Sequence, residues 1–290
     1  GNGPARSLWQ AEQGGGMVAG LLGFHNQDVQ DLARGLCAVR GVPAQPRAVW
    51  EAIEHDDVLA AGLARLLLFT DPARLGISGA TVARCLGEGR PAMVAYLPVG
   101  YPSVADSLDA VRAVVEGSDG RGADIVEIGI PYSDPLMDGL VIQHATAKAR
   151  ARGVRTRDAF AAVEAVADAG ATPMVMTYWN LIEAYGADAF ARDLAAAGGA
   201  GTITPDLPPD DCPEWFEASD AHGLDRVFLI APSSVDERIA LTMSSCRGWV
   251  YASSVMGVTG ARADTSDAAP VIVERARAID PTLPIGIGLG

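Results

Sequence analysis

The chain has 290 residues, 49% of them apolar, and a formal net charge of −14, which argues against nucleic acid or an anionic membrane surface as a partner. No run of about eighteen apolar residues could span a bilayer, and the opening Gly1-Asn2-Gly3-Pro4 lacks the order of a signal peptide. Cys37, Cys85, Cys212 and Cys246 are scattered without metal or disulfide-frame spacing, so a cytoplasmic protein is expected.

Residues 1–74 read as an N-terminal extension without a recognisable motif. Gly14-Gly15-Gly16 and Pro43–Pro46 are punctuation, and Val58–Phe69 is apolar enough for a packed helix. Gly16–Gly23 followed by Asp28–Val39 loosely mimics a strand and helix, which leaves circular permutation as an alternative to a simple extension.

From residue 75 the expectation is a single α/β domain, 75–290. Strands are expected at Met93–Val99, Asp124–Pro131, Pro173–Tyr178, Gly201–Leu207, Arg226–Ala231, Trp249–Val255 and Pro284–Gly288. Helix-period segments separate them, among them Val104–Glu116, Arg157–Ala169, Ala187–Ala197 and Val271–Ile279. Strict alternation means parallel strands joined by crossovers, and this many repeats suit a (β/α)₈ barrel, the TIM barrel, with only seven strands encoded. No Gly-x-Gly-x-x-Gly follows the first strand, so a dinucleotide fold is disfavoured.

The second strand carries an anomaly. Glu127 stands in the middle of an apolar run, where an ionised carboxylate is costly. Pro131 ends the strand, Tyr132-Ser133-Asp134-Pro135 starts a loop, and a second acid, Asp138, follows on it. One acid on a barrel strand and one on the next loop can converge on one small substrate. Taken alone, Glu127 would more readily be a core residue satisfied by a hydroxyl.

The pattern around it resembles the tryptophan synthase alpha chain family, in Glu127, Gly129-Ile130-Pro131-Tyr132-Ser133-Asp134-Pro135 and Asp138-Gly139. Further matching stretches, in order, are Tyr96–Pro102, Met176–Asn180, Pro205–Pro208 and Gly257–Gly260. The resemblance implies a lyase cleaving indole-3-glycerol phosphate to indole and glyceraldehyde 3-phosphate in tryptophan biosynthesis; no cofactor is expected, and no metal, since His25, His55, His144 and His222 form no ligand pattern. It also implies a partner, the tryptophan synthase beta chain, in an α₂β₂ assembly. Glu127 would be the acid/base, its pKa raised by an apolar setting, and Asp138 would stabilise charge at the indole N–H. Tyr178 would orient Glu127 or the substrate; its plainer reading is a core aromatic. Tyr96 and Ile142 would line the indole pocket. Gly257, Thr259, Gly260 and Gly288 would bind phosphate, although Gly-x-x-Gly by itself is an ordinary turn.

Other features limit or qualify this reading. Lys148, the only lysine, lies in a helix-favouring, Arg-flanked stretch and is expected in solvent, which disfavours Schiff-base chemistry. Leu140 and Leu181 replace prolines usual in the family. The loops Pro131–Gly139 and Asn180–Tyr185 are expected to contact the beta chain. The family's eighth strand and its Gly-Ser phosphate turn have no counterpart before Gly290, so weak catalysis is expected of the chain as given. Two alternatives follow, a partner-binding remnant with little activity and a stand-alone indole-releasing lyase.

Overall fold

A computed structural model describes residues 72–118, 120, 122–253 and 268–288, with the isolated positions Arg34, Ala38 and Pro43. The expected helix at Val58–Phe69 and the strand-like Gly16–Gly23 lie outside these residues. The chain divides into two compact units, Gly1–Arg74 and Leu75–Gly290.

The elements run α1 (Pro72–Gly87), β1 (Val94–Pro98), α2 (Val104–Glu116), β2 (Ile125–Gly129), α3 (Leu140–Ala151), α4 (Asp158–Asp168), β3 (Thr172–Met176), α5 (Trp179–Tyr185) and α6 (Ala187–Ala196). They continue with β4 (Gly201–Ile203), α7 (Pro213–Ala221), β5 (Asp225–Val227), β6 (Leu229–Ile230), α8 (Asp236–Ser245), β7 (Val250–Ser253), α9 (Ala268–Ile279) and β8 (Ile285–Gly288). All strand pairs are parallel, in the orders β1-β2-β3-β4-β5 and β6-β7-β8. The two pieces β5 and β6 flank Phe228 and together form the fifth expected strand. β5 bonds to β4 and β6 to β7, while Tyr251 N–H donates to Phe228 C=O at 3.0 Å. The described residues thus form a parallel barrel wall of seven strands, as the alternation predicts.

Strand alternation sorts the side chains into two cores. On β2, Val126 and Ile128 join the large cluster facing the helices, whereas Ile125 joins a second cluster with Met174, Ile203, Val227 and Trp249. That second cluster fills the barrel interior, and Glu127 lies on the same face of β2 as Ile125. Outside, α4 offers Ala159, Ala162, Val163 and Val166, fully or almost fully buried, at helical spacing. Small alanines there let the helix approach the sheet closely.

One expectation is corrected. Asn180–Tyr185 is not a loop but most of helix α5. Ile182 is buried, and Gly186, at φ 95°, ends the turn by donating its N–H to Ile182 C=O at 2.9 Å. Leu181 also suits a helix better than proline would, because its N–H donates to Tyr178 C=O at 3.1 Å.

Helix α1 closes the floor, under the N-terminal ends of the strands. Thr81 Oγ1 meets Thr172 Oγ1 at 2.7 Å at the start of β3, and Val82 packs on the interior cluster. Ser78 donates from both N–H (2.7 Å) and Oγ (2.6 Å) to Asp225 Oδ2 at the start of β5. Asp225 is fully buried, with Arg247 Nε 3.7 Å from its other oxygen. Gly76 has no side chain to collide with that carboxylate, and its φ of 56° favours glycine. S78A removes a donor from a buried carboxylate and should cost about 1–3 kcal/mol in urea unfolding; an unchanged midpoint would remove Ser78 from the account of the floor.

Candidate active site

Catalytic groups of a barrel belong at the C-terminal ends of its strands, opposite that floor. Glu127 occupies the middle of β2, flanked in register by Tyr96 of β1 and Met174 of β3. It is only 4% exposed, and among the described residues burial is the one influence on its titration. Burial pushes its pKa up to about 8, so the group is protonated at neutral pH and able to donate.

Asp138 follows on the loop after β2, half-buried. Burial raises its pKa, and the Tyr178 hydroxyl opposes that rise. Asp138 C=O accepts from Gln143 Nε2 at 2.8 Å, and Gly139 is the N-cap of α3, so the acid sits at a fixed point before the helix. Tyr178, the last residue of the expected third strand, lies two residues beyond the end of β3, in extended conformation. Its hydroxyl oxygen accepts from Leu136 N–H and Met137 N–H, both at 3.0 Å, and its O–H faces Asp138 Oδ1 at 3.5 Å. The Tyr132 ring tilts against the Tyr178 ring at 5.0 Å, with the Tyr132 hydroxyl held by Asn180 Nδ2 at 3.1 Å. One phenol therefore gathers the acid-bearing loop onto the barrel rim.

Tyr96 connects the two acids. Burial is the main cause of its raised pKa, and the charges of Asp138 and Glu127 add to it. Its hydroxyl lies where a side chain on Gly129 would be, 2.2 Å from such a Cβ. The glycine of the Gly-x-Pro motif thus makes room for the phenol. The structure therefore brings Tyr96, Glu127, Asp138 and Tyr178 together. Ile142 is half-buried in the first turn of α3, four residues after Asp138. Gly288 lies at the end of β8 under the Tyr251 ring, whose Cε1 is 2.5 Å from where a Cβ would stand. Gly257, Thr259 and Gly260 are outside the described residues. Among the described residues no cluster of His, Cys, Asp and Glu could hold a metal.

Two residues escaped the sequence reading. Tyr251 of β7 packs on the interior cluster, and the Glu127 charge adds to the burial that raises its pKa. Its signal was there in the inward alternation of Trp249, Tyr251 and Ser253. Asp206, between Pro205 and Pro208 after β4, accepts Trp179 N–H on both carboxylate oxygens, at 3.0 and 3.2 Å.

The raised pKa of Glu127 has a thermodynamic consequence with a definite sign. Between the ordinary value of 4.5 and about 8 the folded state holds a proton that the unfolded state has lost. Stability attributable to this group is therefore full below 4.5 and is lost as pH rises through about 8. E127Q cannot ionise. It should match the parent in thermal melting at pH 5 and melt several degrees higher above pH 8, by roughly the order of a few kcal/mol. Equal melting temperatures at both pH values would show that Glu127 is not desolvated.

Comparison with known proteins is consistent with this geometry. A family model described as the tryptophan synthase alpha chain matches residues 82–290. The tryptophan synthase alpha chain of Mycobacterium ulcerans is 57% identical over 206 residues, covering 71% of this chain and 75% of its own length. That of Thermobifida fusca is 56% identical over 211 residues, covering 72% and 77%. Among solved structures, Mycobacterium tuberculosis tryptophan synthase superposes with a TM-score of 0.70 at 53% identity, covering 74% of this chain and 80% of its own. The tryptophan synthase α₂β₂ complex of Pyrococcus furiosus gives 0.62 at 32% identity, covering 69% and 78%.

Proposed function

The chain belongs to the tryptophan synthase alpha chain family, and we propose that Glu127 and Asp138 carry its lyase reaction. The function is the alpha reaction of tryptophan biosynthesis, cleavage of indole-3-glycerol phosphate to indole and glyceraldehyde 3-phosphate. The observation that carries our assignment of residues is a desolvated acid inside the barrel beside a second acid gathered to the rim, with Tyr96 sensing both. We assign this chemistry to residues 75–290 and treat residues 1–74 as a separate extension.

Glu127, neutral until about pH 8, protonates the indole C3. The ring becomes cationic, and ionised Asp138 accepts a hydrogen bond from the indole N–H where that charge concentrates. The Glu127 carboxylate then takes the proton of the glycerol hydroxyl on the carbon bonded to C3. As the C–O bond becomes a carbonyl, the C–C bond breaks and its electrons return to the ring. Glu127 ends protonated, ready for the next turnover. Tyr178 holds the loop bearing Asp138, and Tyr96 and Ile142 line the indole side. Gly288, with Gly257, Thr259 and Gly260, is our assignment for the phosphate; glycine there lets backbone N–H groups approach its oxygens.

The partner is the tryptophan synthase beta chain, in an α₂β₂ assembly. We place its contact on the loop before α3 and on the start of that helix, where Leu136 is 70%, Leu140 82% and Val141 80% exposed. Helix α5 is the second contact we assign. Leu140 fills the first helical position, which proline would suit, and leaves an apolar side chain free for a neighbour. We place the protein in the cytoplasm, a reading supported by Cys85, Cys212 and Cys246 being free thiols. No described helix is long and apolar enough to cross a membrane.

The test is indole release from indole-3-glycerol phosphate by the full chain, with and without purified beta chain. E127Q should lower kcat by at least ~10²-fold with KM little altered, because shape survives and proton transfer does not. Near-parental turnover would exclude Glu127 as the acid/base. Titration with beta chain should give a complex at micromolar concentrations, and L140D should weaken it. No complex with the parent chain would remove the partner surface from this reading.

A further inference from the structure

We infer that Asp206 is a positioning residue for the lyase site: it fixes the Tyr178–Trp179 peptide, and through Tyr178 it fixes the loop that carries Asp138. The inference rests on the assignment of Asp138 above. Helix α5 begins immediately after Tyr178, which occupies the N-cap position without a capping side-chain hydrogen bond. A serine or aspartate there would serve the helix's free N–H groups itself; a phenol that reaches across to another loop cannot. The acceptor comes instead from the neighbouring strand. Asp206, three residues beyond β4, takes Trp179 N–H on both oxygens, at 3.0 and 3.2 Å. Its carboxylate is half-buried, and its charge also bears on the Tyr178 phenol.

The chain of contacts is continuous. With the backbone after Tyr178 anchored, the phenol reaches Leu136 N–H and Met137 N–H, both at 3.0 Å, and faces Asp138 Oδ1 at 3.5 Å. Releasing the anchor frees the phenol from two amides and from Asp138 together. Among the described residues, the titratable groups facing Asp138 are Tyr178 from the end of β3 and Tyr96 from β1. The Tyr178 hydroxyl favours the ionised form of Asp138, so withdrawing it moves the Asp138 pKa upward.

The decisive variants are D206A, D206N and their combinations with Y178F in the full chain. D206A should lower kcat about tenfold, a misplacement effect, with KM changed less, and should move the acid limb of the kcat profile to higher pH. D206N keeps a carbonyl acceptor for Trp179 N–H and should restore most of the turnover and the limb. In a Y178F background, D206A should add no further loss, since both substitutions break one path. If Asp206 merely caps α5, D206A lowers the melting temperature, leaves the acid limb in place and adds fully to Y178F; that result overturns the inference. If D206A does not fold, W179P removes the same bond from the donor side at a helix position where proline fits, and it must then reproduce the limb shift. If the parent releases no indole, the lyase reading fails by itself. The positioning role is then judged from the fluorine resonance of Tyr178 in fluorotyrosine-labelled chain, assigned by its loss in Y178F. The resonance should move in D206A and return in D206N, and an unmoved resonance overturns the inference.

Discussion

A carboxyl group in the middle of β2 has lost almost all of its water, and the side chains around it are arranged with respect to that loss. Glu127 is flanked by Tyr96 in register, and Tyr251 also senses its charge. These neighbours are neutral over the pH range in which the acid works, since burial holds both phenols protonated. A lysine or arginine beside Glu127 would have favoured the ionised form and removed its ability to donate. The interior cluster of Ile125, Met174, Ile203, Val227 and Trp249 supplies the same low-dielectric setting beneath. Packing and proton chemistry are thus one arrangement seen at two levels.

The two ends of the barrel treat acids in different ways. At the floor, Asp225 is fully buried and receives two donors from Ser78, which bring helix α1 against the strands. Toward the opposite end, burial alone shifts Glu127 among the described residues, and Asp138 is held through a phenol at 3.5 Å. A buried carboxylate gripped by two donors on one oxygen, as Asp225 is on Oδ2, fixes structure; one shifted by burial alone retains capacity for a ligand. Asp206 is intermediate, its oxygens engaged by a backbone N–H that sets the position of its neighbour's ring.

Much of this was legible in the sequence because barrel strands are short apolar runs with strong punctuation. Each of the seven expected strands overlaps one found among the described residues, the fourth being shorter at Gly201–Ile203, and the helix Val104–Glu116 is matched end to end. The break at Phe228 did not show, because it reflects which neighbour each half of the strand bonds to, and that depends on barrel closure rather than local pattern. Asn180–Tyr185 read as a loop because its capping acceptor, Asp206, lies 27 residues away from Trp179. Glu127 stood out as an acid in an apolar strand, whereas Tyr251 did not, since an aromatic in a strand is ordinary. The Ser78–Asp225 contact spans 147 residues, and no local signal could announce it.

The three described cysteines are reduced and buried, and burial raises the pKa of each, to about 11 for Cys212 and about 12 for Cys246. A protonated, enclosed thiol is nearly inert to alkylating reagents until the surrounding structure opens. They are spread over the molecule: Cys85 in the floor helix, Cys212 at the entry to α7, and Cys246 between α8 and β7. The chain therefore carries native reporters of local opening at three places. Pulse labelling followed by peptide mapping would order the release of floor, flank and wall as denaturant rises, without introducing a foreign probe.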